Sequence, residues 1–156
     1  MAETDSVFEF LHMQIVDYIK EVHGKENENH ATSVLEHIGF TVGQRLAERF
    51  TKETARFKDD LDVMKYICKD FWTALYKKQI DNLRTNHQGV FVLQDNRFAL
   101  LTQISEGEDD NHPATQYLSL PCGLIRGALA NLGIQSIVVP EITTMPMCKF
   151  TIKIEK

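Results

Sequence analysis

The stretch Pro121-Cys122-Gly123-Leu124-Ile125-Arg126-Gly127-Ala128-Leu129-Ala130-Asn131-Leu132-Gly133 decides the fold that we predict for this chain. It begins with proline and ends with glycine, the residues favoured at the first turn and just past the end of a helix. Its large apolar residues recur at helical spacing, so one wide face has to be covered. Strand-like sequence lies on both sides. The pattern therefore predicts a β-β-α-β-β core in which a sheet covers this helix.

One side of the predicted helix is narrow, because Gly123, Gly127 and Ala130 carry almost no side chain. Another backbone could approach closely there. Arg126 lies among these small residues. Because a buried guanidinium needs partners, we expect Arg126 to reach the surface or to pair within the chain, with ligand binding as the alternative.

Length and composition indicate one soluble domain. The chain has 156 residues, 43% of them hydrophobic and 25% charged, enough for a continuous core without disulfides or metal. The formal charge is -5 and no basic run exceeds Lys77-Lys78, so we do not expect a nucleic-acid partner. No apolar run could cross a bilayer, and the first residues do not resemble a signal peptide, which predicts a cytoplasmic protein.

Two amphipathic helices are predicted at the start of the chain. Ser6 with Glu9 fits a capping box that opens a helix ending near Val22, and Ser33 with Glu36 has the same spacing. The apolar band of the first helix is wide enough to touch two surfaces. It consists of Val7, Phe8, Leu11, Ile15, Tyr18, Ile19 and Val22.

The apolar stripe of the second helix contains two glycines, Gly39 and Gly43. Together they cost a helix roughly 2 kcal/mol relative to alanine, which is tolerated mainly where a neighbouring helix comes very close. The stripe therefore indicates a contact surface. The spacing leaves open whether the neighbour belongs to the same chain or to another one.

A third helix is predicted after Asp59-Asp60, whose charges suit the positive end of a helix dipole. Residues 77–89 are polar and predict the end of a helix followed by a turn.

The sequence then predicts a tight β-hairpin, formed by Val90–Leu93 and Phe98–Leu101 with Asp95-Asn96 between them. Residues 105–113 predict an acidic loop exposed to solvent.

Two further strands are predicted after the helix at residues 121–133. The first contains Ile137-Val138-Val139 and ends at Pro140. The second, Cys148–Ile154, alternates between a buried and an exposed face. The predicted order of elements is α-α-α-β-β-α-β-β.

Residue patterns typical of catalysis are missing from the sequence. There is no phosphate-binding glycine loop, zinc-protease helix, nucleophile elbow or calcium loop. His30 and His37 lack a second histidine at ligand spacing, and we expect the three cysteines to be reduced, buried thiols. We therefore expect no catalytic, cofactor or metal site. An enzyme using Cys68 or the Asp59 to Asp62 cluster is kept as the alternative without a proposed substrate.

Eight strings of residues in this sequence are specific enough to compare with known families. They are Gly39–Gln44, Glu48–Lys52, Thr54–Asp59, Ile67–Trp72, Lys77–Gly89, Val92–Asn96, Cys122–Gly127 and Cys148–Phe150. Together they resemble the small core subunits of TRAPP, the transport protein particle, and within that family the subunit-6 type. The likeness extends from about residue 34 to the carboxyl end.

This resemblance implies an α+β fold with helices packed on one side of a four-stranded antiparallel sheet. Residues 1–156 would form one domain, with a helical dimerisation part at about 5–76 and the sheet and central helix at about 89–156. It also implies a non-catalytic scaffold role in a complex that tethers vesicles in ER-to-Golgi transport and, as a whole, promotes nucleotide exchange on a Rab-type GTPase. The protein would be cytoplasmic and peripheral at the cis-Golgi and endoplasmic reticulum, held there through the complex and without a membrane span.

The implied partners are a subunit-3 type paralogue, bound as a heterodimer through the first two helices, and other TRAPP subunits. Whether the isolated chain forms a homodimer is left open by the sequence. From helical facing, we expect the interface to include residues of both helices. These are Leu11, Ile15, Ile19, Leu35, Ile38, Gly39, Val42, Gly43 and Leu46.

One family feature does not carry over. The subunit-3 relative holds a fatty acyl chain on a cysteine that falls near Phe57 here, where this sequence has no cysteine. We therefore do not expect acylation. A small-molecule or lipid-binding domain, with a cavity between helices and sheet, remains the alternative function.

Overall fold

The fold is known from a computed structural model that describes residues 2–23, 28–53, 56–106 and 114–155. Within these residues the helices are α1 (Ala2–His23), α2 (Glu28–Phe50), α3 (Asp60–Tyr66), α4 (Trp72–Tyr76), α5 (Ala99–Glu106) and α6 (Ser119–Asn131). A π-helical turn (Ile67–Phe71) joins α3 to α4, and a 3-10 helix (Ala114–Leu118) precedes α6. The strands are β1 (Asn82–Thr85), β2 (Val90–Asp95), β3 (Ser136–Ile142) and β4 (Cys148–Ile154).

The four strands form one antiparallel sheet in the order β1-β2-β4-β3. Phe91 lies opposite Ile152, and Ile152 lies opposite Val138, so one apolar row crosses three strands. These residues are buried, whereas Ile137 and Val139 on the other face are exposed. The helices therefore cover one face of the sheet, which confirms the α+β class implied by the resemblance.

The predicted hairpin of Val90–Leu93 with Phe98–Leu101 is wrong. Ala99–Glu106 is helix α5, and β2 pairs on that side with β1, which lies in the stretch interpreted as a helix tail and turn. Leu100 and Leu101 are both fully buried. Because successive strand residues point to opposite faces, a helix buries such a pair on one side more readily.

The helix starts predicted from capping boxes are also wrong. Ser6 lies inside α1, which begins at Ala2, and Ser33 lies inside α2, where its hydroxyl donates to the Asn29 carbonyl 3.0 Å away. The negative start of the third helix is confirmed. The Asp59 carboxylate accepts from the Asp62 amide at 2.8 Å and caps α3.

The carboxyl-terminal elements agree more closely with the sequence interpretation. Strand β4 has the predicted bounds, and α6 begins two residues before Pro121. Strand β3 continues through Pro140 to Ile142, contrary to the predicted stop. Since β3 is an edge strand, a residue without an N–H group is tolerated there. Residues 107–113 of the predicted acidic loop lie outside the described residues, and its first two residues belong to α5.

An aromatic cluster fills the space between α4 and the sheet. The Trp72 ring lies 4.5 Å from Tyr76, 5.8 Å from Phe98 and 5.5 Å from Phe150, measured between centroids. The indole N–H of Trp72 donates to the buried carboxylate of Asp95 at 3.0 Å. This bond fixes the end of β2 against α4.

Candidate partner interface

Helices α2 and α6 pack with their backbones almost in contact. A Cβ atom on Gly39 would overlap the Leu120 carbonyl oxygen, and one on Gly43 would overlap that of Leu124. The glycines of α6 are equally close to α2. A Cβ atom on Gly123 would overlap the Glu36 carbonyl oxygen, and one on Gly127 would overlap that of Phe40. The neighbour of the glycine stripe is therefore α6 of the same chain. The sheet covers only part of α6, and α2 covers its narrow side.

Arg126 forms an ion pair within the chain. Pairing within the chain was one of the two outcomes expected from the sequence. Its Nε lies 3.1 Å from the Glu36 carboxylate, and its guanidinium carbon lies 4.5 Å from the centre of the Phe40 ring. Both partners belong to α2. Arg126 therefore contributes to the α2–α6 contact.

Helix α1 has two apolar faces. Its inner face is buried and includes Val16 and Ile19. Its outer face carries large apolar side chains that are about half exposed or more, an uncommon arrangement for the solvent side of a helix. These are Val7, Phe10, Leu11, Tyr18 and Val22, with exposed fractions from 49% to 63%.

Polar contacts fix the rotation of α1 on the body of the protein. The Lys20 ammonium lies 4.1 Å from the centre of the Tyr117 ring, and the Tyr117 hydroxyl donates to the Asp17 carboxylate at 3.2 Å. Near the other end of α1, the Phe8 ring lies 5.5 Å from Tyr76 of α4. The outer apolar face is therefore held toward solvent along most of the helix.

The apolar side of α2 is covered in its first half and open in its second. Ala31 and Leu35 are buried, whereas Val42 and Phe50 are each 41% exposed. Ile38 and Leu46 lie between these extremes and are partly buried against the core. We call the outer apolar side of α1 and this open half of α2 together the α1/α2 face.

The nine residues predicted for a partner interface divide into three groups. Leu11 and Val42 are exposed, and Ile15, Ile38 and Leu46 are partly exposed. The other four are buried within the chain: Ile19, Leu35, Gly39 and Gly43. Only the first two groups are accessible to another protein in this structure.

Five exposed members of the face were absent from the predicted interface: Val7, Phe10, Tyr18, Val22 and Phe50. For Val7, Tyr18 and Val22 the signal was present, because the apolar band of α1 was wide enough for two surfaces. Phe10 lies beside that band, and Phe50 falls at the end of the α2 stripe. Helical spacing alone did not separate the inner from the outer half of these bands.

The sequence matches one family over nearly its full length. Residues 8–155 match the family described as Transport protein particle (TRAPP) component. The chain belongs to the TRAPP component family. Its relatives include trafficking protein particle complex subunit 6b of Danio rerio, 57% identical over 153 residues that cover 97% of this chain and 98% of the relative.

Two human TRAPP proteins extend the comparison. Subunit 6B of Homo sapiens is 56% identical over 154 residues, covering 97% of this chain and 98% of that protein. Subunit 6A of Homo sapiens is 46% identical over 159 residues, covering 100% of this chain and 99% of that protein. The resemblance to the subunit-6 type is thereby confirmed.

A solved TRAPP structure has the same fold. It is subunit 3 of the trafficking protein particle complex from Naegleria fowleri, covalently bound to palmitic acid, with a TM-score of 0.70 and 17% sequence identity. The alignment covers 96% of this chain and 95% of the other. At this identity the likeness supports the fold alone.

The three cysteines of this TRAPP subunit are free and buried, as predicted. Burial raises the pKa of the Cys68 thiol to about 12 and also raises the pKa values of Cys122 and Cys148. Over the described ranges, no three His, Cys, Asp or Glu side chains are grouped as metal ligands would be. In the same part of the chain, no helix has the length and apolar character needed to span a membrane.

Proposed function

We propose that this chain is a non-catalytic scaffold subunit of a TRAPP-type vesicle-tethering complex in ER-to-Golgi transport, and that it forms a heterodimer with a subunit-3 type paralogue through the α1/α2 face. It acts in the cytoplasm, peripheral at the cis-Golgi and endoplasmic reticulum through the complex. The complex as a whole promotes nucleotide exchange on a Rab-type GTPase. The observation that carries the proposal is the open apolar face of α1 and α2.

The α1/α2 face suits a stable partner energetically. Fully burying an aliphatic side chain contributes roughly 1.5–3 kcal/mol, so each half-exposed residue of the face offers about 1 kcal/mol on association. Leu11, Tyr18 and Val42 lie among half-buried residues of the same helices. Covering the face would extend an existing core, which is how long-lived subunit interfaces are built.

Acylation is not part of the proposed function. A thiolate is the reactive form of cysteine, and a thiol with a raised pKa in a buried site reacts poorly. All three cysteines of this chain are in that condition. Phe57, where the family resemblance would place the acylated cysteine, packs its ring 5.4 Å from Tyr66.

A lipid-binding role has less support than a scaffold role. A cleft of about 470 Å³ lies beside Phe57, Val63 and Leu132. Its border also includes Arg56, Lys58, Asp59 and Asp60. Charged groups at the wall of a cleft favour water over an acyl chain, because burying them without partners is costly.

Amide hydrogen exchange tests the proposed pairing surface. The chain would be compared alone and with a saturating amount of a subunit-3 type protein. We expect slower exchange in residues 7–22 of α1 and in the second half of α2, with β3 and β4 unchanged as the internal control. Slower exchange confined to the sheet, or no change anywhere, would refute pairing through the α1/α2 face.

A further inference from the structure

The open half of α2 carries two cations in line with its exposed apolar residues. Ile38, Val42, Arg45 and Arg49 follow one another at spacings of four, three and four, which places them along one side of the helix. Both arginines are exposed. Among the described residues neither guanidinium has an ion-pair partner, unlike Arg126, which pairs with Glu36.

The α1 part of the α1/α2 face carries acidic residues along one side. Asp17 and Glu21 are exposed one turn apart on α1. The bond from Tyr117 to Asp17 places this side of α1 beside the 3-10 helix. Glu48 is also exposed on α2, but it is outnumbered by Arg45 and Arg49. The face is therefore basic along the open half of α2 and acidic along α1.

We propose that Arg45 and Arg49 select the partner that covers the α1/α2 face. The partner would present an apolar surface bearing carboxylates opposite these two guanidinium groups and a cation opposite Asp17 and Glu21. This inference rests on the proposed function and names the chemistry that its partner surface must have. Arginine suits the role because its planar fork can bind a carboxylate through two parallel hydrogen bonds.

Charges at the edge of an apolar interface act mainly on the rate and specificity of association. A partner with carboxylates at the matching positions is drawn toward α2, whereas a partner with cations there is repelled. A neutral apolar surface would bind without this preference. The charge pattern thus supplies a means to distinguish between partners whose apolar surfaces are similar.

The test compares two double variants that change the net charge equally. Arg45→Glu with Arg49→Glu alters the face, and Arg84→Glu with Lys153→Glu alters exposed positions on the sheet. Association and dissociation rates with the subunit-3 type protein would be measured at low and high salt. At low salt we expect the first variant to associate at least about tenfold more slowly than the wild type, and at high salt we expect a smaller difference. The second variant should associate at the wild-type rate at both salt concentrations.

Arg45→Lys with Arg49→Lys separates charge from the shape of the guanidinium. We expect this variant to keep the association rate and to dissociate faster, since lysine keeps the charge and loses the fork. Equal rates for the wild type and the glutamate variant would overturn the inference. So would equal slowing by the sheet variant, because the effect would then come from net charge alone.

The inference and the proposed function can fail separately. If Val42→Asp abolishes pairing and the glutamate variant pairs like the wild type, the face is an interface but the arginines do not select its partner. If Val42→Asp also pairs normally, the face itself is not the interface. Circular dichroism of each variant would establish that loss of pairing does not come from unfolding.

Discussion

Gly43 of α2 lies directly against the backbone of Leu124 in α6, so that a Cβ atom on Gly43 would overlap the Leu124 carbonyl oxygen. Replacing glycine by alanine in the interior of a helix normally stabilises the helix by about 1 kcal/mol. Here the added methyl group would meet backbone atoms, which cannot move aside like a flexible side chain. The two helices would have to separate and disturb the core between them.

Gly43→Ala should therefore destabilise the protein. We expect a net loss of about 2 kcal/mol or more in the free energy of unfolding, measured by urea denaturation. His37→Ala, at an exposed position of the same helix, is the control and should change stability by less than about 0.5 kcal/mol. A Gly43→Ala protein more stable than the wild type would contradict the close α2–α6 contact.

Asp95 should contribute strongly to stability, because its fully buried carboxylate accepts from the Trp72 indole at 3.0 Å and from the Lys78 ammonium at 2.7 Å. We expect Asp95→Asn to cost about 2 kcal/mol in chemical denaturation, because the buried carboxylate loses its charge-assisted hydrogen bond from Lys78 while Lys78 keeps Asp81 as a counter-ion. Asp81→Asn is the matched control, because Asp81 also pairs with Lys78 but is exposed. Its cost should stay below about 1 kcal/mol, and equal costs would show that burial of Asp95 is unimportant.

His12 should make the protein less stable in mild acid. Burial of the imidazole lowers its pKa from 6.5 to about 4 and outweighs an opposing effect of the Tyr117 backbone. Because the unfolded state then binds a proton more readily, the stabilising contribution is complete above pH 6.5 and is lost as the pH falls toward 4. The loss should be on the order of 2 kcal/mol at pH 5.

Urea denaturation at pH 7.5 and pH 5 would measure this effect in the wild type and in His12→Leu. The variant should lose markedly less stability between the two pH values. His87→Gln, at an exposed position, should behave like the wild type. The same pH dependence in wild type and His12→Leu would show that His12 is not the group responsible.

The sequence predicted an element correctly where its local residue pattern matches the burial of those residues in the fold. Cys148–Ile154 alternates between faces, and β4 has the predicted bounds because Phe150 and Ile152 point into the core. Asp59 caps α3 through an amide only three residues away. Patterns of this kind involve residues only a few positions apart in the chain, so their spacing in the sequence is enough to identify them.

The hairpin prediction failed because Asp95 looks like a turn residue. Its actual role depends on Trp72 and Lys78, which lie 23 and 17 residues earlier in the chain. The partner strand β1 contains one large apolar residue, Leu83, and so gives a weak strand signal. An edge strand needs little apolar sequence when β2 supplies the buried row.

The sequence indicated more apolar surface on α1 and α2 than one packing face needs, but it did not assign the residues to the inner and outer faces. The Gly39 and Gly43 stripe indicates close packing, and only the structure identifies α6 as the neighbour. The wide band of α1 indicates two surfaces. Separating them required knowing that Val16 and Ile19 face the core while Leu11 and Tyr18 face solvent.

The most direct test of the proposed role is the light-scattering mass after size exclusion of the chain mixed with a subunit-3 type protein, for the wild type and Val42→Asp. We expect the wild type to form a one-to-one complex of about twice the mass of the chain, and Val42→Asp to remain folded but fail to form it. A wild-type chain whose mass is unaffected by the partner would contradict the heterodimer. A complex that survives Val42→Asp would contradict the assignment of the α1/α2 face as its interface.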